Sequence, residues 1–224
     1  NLSRIDVASG KVTPLTTGPR YDAGFAVSKQ GRIVVLGGDD VTPYELAALE
    51  QGRLRPLGLH NEWLAQKKRV RFDDISFRSA DGTSIDGFVV KPPDYVPGRL
   101  YPTILRLHGG PVYQFSHEFM PDCQAYAARG FVVVAANPRG SSGRGFEFAK
   151  AIYADWGNKD VQDVLAAVDH VVAAGDVGRD VEDLQKPLAA GRGFGDPCGH
   201  RAHLADRLVK IGQIGGEDQK VARA

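Results

Sequence analysis

Residues 102–114 read PTILRLHGGPVYQ, an apolar run that meets a histidine, two glycines and a proline. A strand followed by residues of high backbone freedom makes a turn that can bring main-chain N–H groups up to a reacting oxygen. Each such fixed donor is worth about 2.7–4 kcal/mol of barrier. The alternative is a plain strand-ending turn. The segments downstream set this strand in a sheet. EFMPDCQAYAARG (118–130) holds helix formers from Gln124 to Arg129, and Gly130 supplies a C-terminal cap. FVVVAANPRG (131–140) is continuous and β-branched, as a strand covered on both faces would be. NKDVQDVLAAVDHVVAAG (158–175) sets Val161, Val164, Leu165, Val168, Val171 and Val172 on one stripe, predicting a helix from a cap near Asn158 to Gly175. Strand, helix, strand, helix predicts an α/β sheet with parallel crossovers. In such sheets ligands sit beyond the carboxyl ends of the strands. Both His108-Gly109-Gly110-Pro111 and NPRGSSG (137–143) fall there.

Upstream, ISFRSADGTSIDGFVVKPP (75–93) reads as two strands joined at Asp81-Gly82 and ended by the paired prolines. QKKRVRF (66–72) has the composition of a solvated linker. Before it the sequence repeats. RIDVASGKVTPLTTG (4–18) and LAALEQGRLRPLGLH (46–60) align Gly10 with Gly52, Val12 with Leu54, Pro14 with Pro56 and Leu15 with Leu57, an offset of 52 − 10 = 42 residues. GFAVSKQGRIVVLGG (24–38) adds a hairpin turning at Lys29-Gln30-Gly31. Short strands at a period of roughly 40–45 residues are the pattern of propeller blades. The division expected is therefore a partial β-propeller over 1–66, the N-terminal part of an α/β-hydrolase-like sheet over 72–175, and an atypical tail over 176–224. A first residue other than Met reads as a fragment, with the edges of the propeller remnant left open.

Composition narrows the function classes. With 224 residues, 42% hydrophobic and 25% charged, the chain has the make-up of an ordinary globular protein. A formal net charge of +1 gives no electrostatic case for nucleic acid or an acidic membrane surface. Two cysteines, Cys123 and Cys198, exclude a disulfide framework and favour a reducing, cytoplasmic setting. No membrane span is expected, for want of an apolar run of about 18 residues. NPRGSSGRG (137–145) lacks the Gly-Lys-Ser/Thr ending of a phosphate loop. Cys198, His200 and His203 match no four-ligand zinc spacing. Neither cofactor nor metal is expected.

Taken in order, the hairpin repeats, ADGTSIDGFVVKPP (80–93), YPTILRLHGGP (101–111), ANPRGSSGRG (136–145) and ADWGNKDVQDVLAAVD (154–169) resemble the prolyl oligopeptidase family, nearest its dipeptidyl- and acylaminoacyl-peptidase branch. The resemblance covers roughly residues 2–175. It implies a propeller that screens substrates by size, and an α/β-hydrolase domain cleaving short peptides through a Ser-Asp-His triad. His108 stands where many relatives carry an oxyanion-binding tyrosine, so the resemblance puts His108, Gly109 and Gly110 on the oxyanion side. Arg139 and Trp156 fall on motif positions read as supports for the loops.

The chain also departs from that pattern. Shortly after Gly175 the family has a nucleophile elbow, Gly-x-Ser-x-Gly, on a strained strand-to-helix turn. Here residues 176–224 hold neither serine nor threonine, and GSSGR (140–144) places Arg144 where the second glycine is needed. Nucleophile, acid and base are all unplaced, and the chain is expected to be inactive as it stands. A non-catalytic binding module is one alternative. A hydrolase using Cys198 is another, although GDPCGH (195–200) sets the first glycine one place too far from that cysteine. Residues 176–224 are expected to form a loose or out-of-frame tail. The faces of TILRL and FVVVAA, short of later strands, are expected to be partly uncovered and to promote self-association.

Overall fold

The computed structural model of the chain describes residues 1–175. Two hairpin strands open it, β1 (Ser3–Ile5) and β2 (Val12–Pro14). An antiparallel meander follows: β3 (Tyr21–Val27), β4 (Ile33–Asp39), β5 (Thr42–Glu50) and β6 (Arg53–Pro56). After a short 3-10 turn at Glu62–Gln66 comes a second four-stranded sheet of β7 (Asp73–Arg78), β8 (Ser84–Val90), β9 (Thr103–Arg106) and β10 (Val132–Asn137). Helix α1 (Pro121–Ala128) joins β9 to β10, and α2 (Phe146–Lys150) and α3 (Lys159–Ala173) follow.

The turns form where the sequence permits them. β5 and β6 are joined by Gln51 and Gly52 alone, with φ of 51° and 76°. Positive φ at both positions is the type I′ hairpin turn, whose second position glycine adopts freely. The matching hairpin β1–β2 closes through a longer loop, with Asp6 and Lys11 still bonded at 2.9 Å and Gly10 at φ 70°. The two repeats thus share strands and a positive-φ glycine but not a turn type. β3 and β4 turn across Ser28–Arg32, and β7 and β8 across Ser79–Thr83, both as the sequence predicts.

The second sheet has the order β7-β8-β10-β9, and only β9 and β10 run parallel. One parallel crossover, β9–α1–β10, is present among the described residues. The alternating pleat of β10 divides the core in two. Val132, Val134 and Ala136 pack with Ile85 and Leu105 under Val164, Ala167 and Val171 of α3. Val133 and Ala135 pack with Phe88, Val90 and Phe115 under Cys123 and Ala127 of α1. Residues Val132 to Ala136 are 0–1% exposed, which corrects the expectation that FVVVAA is left uncovered. Two helices supply the cover, and burial of each valine side chain contributes about 1.5–3 kcal/mol. β9 is the edge strand among the described residues, yet its Leu105 is buried as well.

The segment 66–72 is also more than a solvated linker. Arg69 Nη1 donates to Val41 O at 2.6 Å, Arg71 pairs with Asp39 at 3.2 Å, and Phe72 is buried. These bonds dock the meander on the second sheet.

Candidate active site

The loop after β9 (residues 107–114) and the turn after β10 (residues 138–145) leave adjacent parallel strands at their carboxyl ends, so the topology sets them side by side. Asn137, the last residue of β10, locks them together. Its Oδ1 accepts the Phe115 N–H at 2.7 Å and its Nδ2 donates to Phe115 O at 3.0 Å. Ser142 N donates to Tyr113 O at 3.0 Å. Gly140 has φ 100°, in the left-handed region that favours glycine, and a Cβ there would press on the Ile152 side chain.

Within the loop, Gly109 and Gly110 are exposed, and Gly110 has φ 126°. Among the described residues neither amide donates a hydrogen bond. His108 differs from them. Its ring is half-buried, edge-on to Tyr113 at 5.6 Å and to Phe115 at 5.1 Å. Nε2 lies 2.9 Å from Ser141 Oγ and Nδ1 3.2 Å from Gly109 O. Burial and, to a lesser degree, the nearby Arg106 push the imidazole below its ordinary pKa, against an opposing bond to Gly109 O, so the ring is neutral near pH 7. Ser141 Oγ also lies 2.6 Å from Pro138 O, so each ring nitrogen of His108 has a partner within the two loops. His108 is therefore held within the wall at both ring nitrogens, while Gly109 and Gly110 are exposed.

Arg139 is 6% exposed and joins three elements. Its main-chain N and Nε donate to Asp163 Oδ2 at 2.8 and 2.9 Å, and Nη2 to Asp163 Oδ1 at 2.7 Å. Nη1 donates to Asp81 of the β7–β8 turn. The bonds to Asp163, then those to Asp81, hold the guanidinium far above its ordinary pKa. Asp81, bonded by Thr83 and then by Arg139, is held well below the usual carboxylate range. Trp156, expected to act with Arg139, is 67% exposed, so among the described residues the packing a support would need is missing. Asp163 escaped the sequence reading because it flanks the valine stripe. Its spacing to Ala167 and Val171 places it on the same buried face of α3, and an acid there was the available signal.

A cavity of about 320 Å³ opens beside the loop, lined by Arg106, His108, Gly109, Tyr113, Glu118 and Asp122 among others. Arg106 and Asp122 pair across it at 2.6 Å. Tyr113 donates to Glu118 Oε1 at 3.0 Å, and Tyr44 of β5 donates to Oε2. Burial and the neighbouring carboxylate push the Tyr113 phenol up to about 12. A second hollow of about 420 Å³ lies by Tyr101, Pro102 and Gly130, at the amino ends of β9 and β10, the wrong end for a ligand in such a sheet. Cys123 is buried on the inner face of α1, and burial pushes its thiol up to about 12, so it is no nucleophile. Cys198, His200 and His203 lie outside the described residues, as does the expected tail.

Among known proteins, residues 117–181 match the prolyl oligopeptidase family. An uncharacterized peptidase of Bacillus subtilis, YuxL, is 32% identical over 167 residues, 73% of this chain and 25% of its own length. Dipeptidyl-peptidase 5 of Porphyromonas gingivalis is 27% identical over 190 residues, 76% of this chain and 26% of its own length. The solved acylaminoacyl peptidase of Pyrococcus horikoshii superposes with a TM-score of 0.66 at 28% identity, over 73% of this chain and 26% of that one. The chain thus spans about a quarter of the length of these relatives. Two paired loops at the carboxyl ends of β9 and β10, a buried Arg139 behind them and these matches agree: the chain belongs to the prolyl oligopeptidase family.

Proposed function

We propose that this chain carries the oxyanion-side wall of a serine-type peptidase that acts on short peptides in the manner of dipeptidyl and acylaminoacyl peptidases, with residues 72–175 as the first part of an α/β-hydrolase domain. The observation that carries the reading is the loop at Gly109 and Gly110, whose exposed amides are free among the described residues while Asn137, Ser141 and Ser142 hold the loop in place. Rigid donors of this kind stabilise a developing oxyanion because they need no reorganisation during the reaction. In this reading Gly109 and Gly110 supply the donors, His108 and Arg139 hold the shape, and the cavity beside the loop takes part of the peptide.

The meander of β3–β6 fits a propeller blade. Val35 pairs with Phe25 on one face and Leu36 pairs with Leu46 on the other, so both faces are apolar. Phe25, Leu36 and Leu46 are 38–62% exposed, as expected of a sheet that neighbouring blades sandwich.

The chain by itself does not hydrolyse peptides in this reading, since no Gly-x-Ser-x-Gly occurs in its sequence. A serine-directed fluorophosphonate probe tests this. The purified chain is expected to remain unlabelled and to leave short peptide substrates intact. Labelling at any serine, or turnover of a peptide, would overturn the inactivity, and thiol-only labelling at Cys198 would favour a cysteine hydrolase.

A further inference from the structure

Tyr113 sits directly against Gly110. Its N–H donates to Pro111 O at 2.8 Å, closing a tight turn, and a Cβ built on Gly110 would lie 3.3 Å from Tyr113 Cβ. Displacing Tyr113 therefore displaces the Gly110 amide. Three ties hold Tyr113 in place. Its main-chain O accepts the Ser142 N–H at 3.0 Å, its ring meets His108 edge-on, and its phenol donates to Glu118 Oε1 at 3.0 Å. The first two anchor it to the β10 turn and to its own loop. The third leads out of the second sheet altogether.

Glu118 is a flexible side chain with no cation paired to it among the described residues, so its carboxylate is only as fixed as the groups that bond it. Tyr113 is one of those groups. The other is Tyr44 of β5, 74 residues away in the chain, whose hydroxyl donates to Oε2. Tyr44 is the rigid end of this series. Its ring stacks on Tyr21 with centroids 5.9 Å apart, and β5 is bonded on one side by β4 and on the other by β6. A phenol from each sheet thus takes one oxygen of the same carboxylate. Removing the Tyr44 hydroxyl would leave Glu118 anchored by Tyr113 alone, and Tyr113 without a fixed partner beyond its own loop.

We propose that Tyr44 is a positioning residue for the loop of Gly109 and Gly110, acting through Glu118 and Tyr113, so that the first sheet helps to set where the Gly110 amide lies. Fixed donors stabilise a developing charge only as far as their position is held, and this relay holds one of them from outside the loop. The catalytic meaning of that amide rests on the peptidase reading. The relay itself concerns the geometry of the loop and is measured without substrate, so it stands or falls separately from the result with the fluorophosphonate probe.

Amide hydrogen exchange on the whole chain tests it, with Ser142, bonded to Tyr113 O, as the reporter of how Tyr113 is seated. Tyr44→Phe removes the hydroxyl and keeps the ring on Tyr21. It is expected to speed exchange at Ser142 about tenfold relative to Val133 and Val134 of β10, and to shift the Gly110 amide resonance. Tyr113→Phe cuts the relay at its other end and is expected to give the same loss, with the two changes together giving no more than either alone. Unchanged exchange at Ser142 in Y44F, or effects of the two variants that add, would overturn the proposal. Should Y44F fail to fold, ring-carbon shifts in the unaltered chain decide. Burial and the shared carboxylate are expected to hold both phenols above the ordinary tyrosine pKa of about 10, and ordinary titration of either ring would overturn the relay.

Discussion

Asp163, a helix residue with no exposed surface, holds the main-chain amide and the guanidinium of Arg139 at the same time. The pair therefore fixes both the backbone after β10 and the side chain that reaches the β7–β8 turn at Asp81. Its two charges are buried but mutually satisfied, which separates the effect of removing one from that of removing both.

Asp163→Ala leaves Arg139 buried without its carboxylate and is expected to cost about 3–5 kcal/mol of stability. Arg139→Met combined with Asp163→Leu removes both charges and is expected to recover most of that loss. Urea unfolding midpoints of the three chains check this, and equal losses for the single and double variants would show that the charges do not act as a pair.

Asp81 contributes through pH. Its carboxyl is held below its ordinary range by Thr83 and Arg139, so the stabilisation is present above the ordinary carboxylate pKa and is lost as pH falls through the lowered one. The unaltered chain is expected to lose stability on acidification below about pH 4, and Asp81→Asn to lose less over the same interval. Unfolding midpoints measured from neutral to acid pH report the difference.

Ser141 partners Nε2 of His108 and Gly109 O partners Nδ1. In Ser141→Ala only the Gly109 carbonyl remains, so the ring proton is expected on Nδ1. Ring nitrogen shifts of His108 measured by NMR distinguish the two tautomers, and a proton found on Nε2 in the variant would mean that Gly109 O does not hold it.

Gly87 sits mid-strand in β8, opposite Ala136 of β10. A Cβ there would lie 2.6 Å from Ala135 O and 3.0 Å from Ala136 Cα, both main-chain atoms that cannot swing aside. Gly87→Ala is expected to separate the two strands locally and to cost about 1–3 kcal/mol, visible as a lowered thermal midpoint.

Much of the local structure was legible in the sequence. The β-branched run 131–136, the valine stripe of α3, the cap at Gly130 and the turns at Asp81-Gly82 and Lys29-Gln30-Gly31 each follow from residues close in the chain. The helix cap near Asn158 is the instructive partial miss. Asn158 stands at that position, but its side chain bonds Asp155 and Gln162, while Asp160 Oδ1 takes the Gly157 amide. Several polar groups there compete for the same donors, and spacing alone does not rank them.

The sequence by itself determined which segments become strands and helices, and that glycine-rich turns close two of the strands. It did so because hydrophobic period, capping and backbone freedom act over a few residues. The tertiary structure alone decided that Arg139 meets Asp163, that His108 meets Ser141, and that Asp40 meets His117. Those partners lie 24, 33 and 77 residues apart. Only the order of strands in the second sheet and the docking of the hairpin tip bring them within bonding distance, where burial makes each pairing matter.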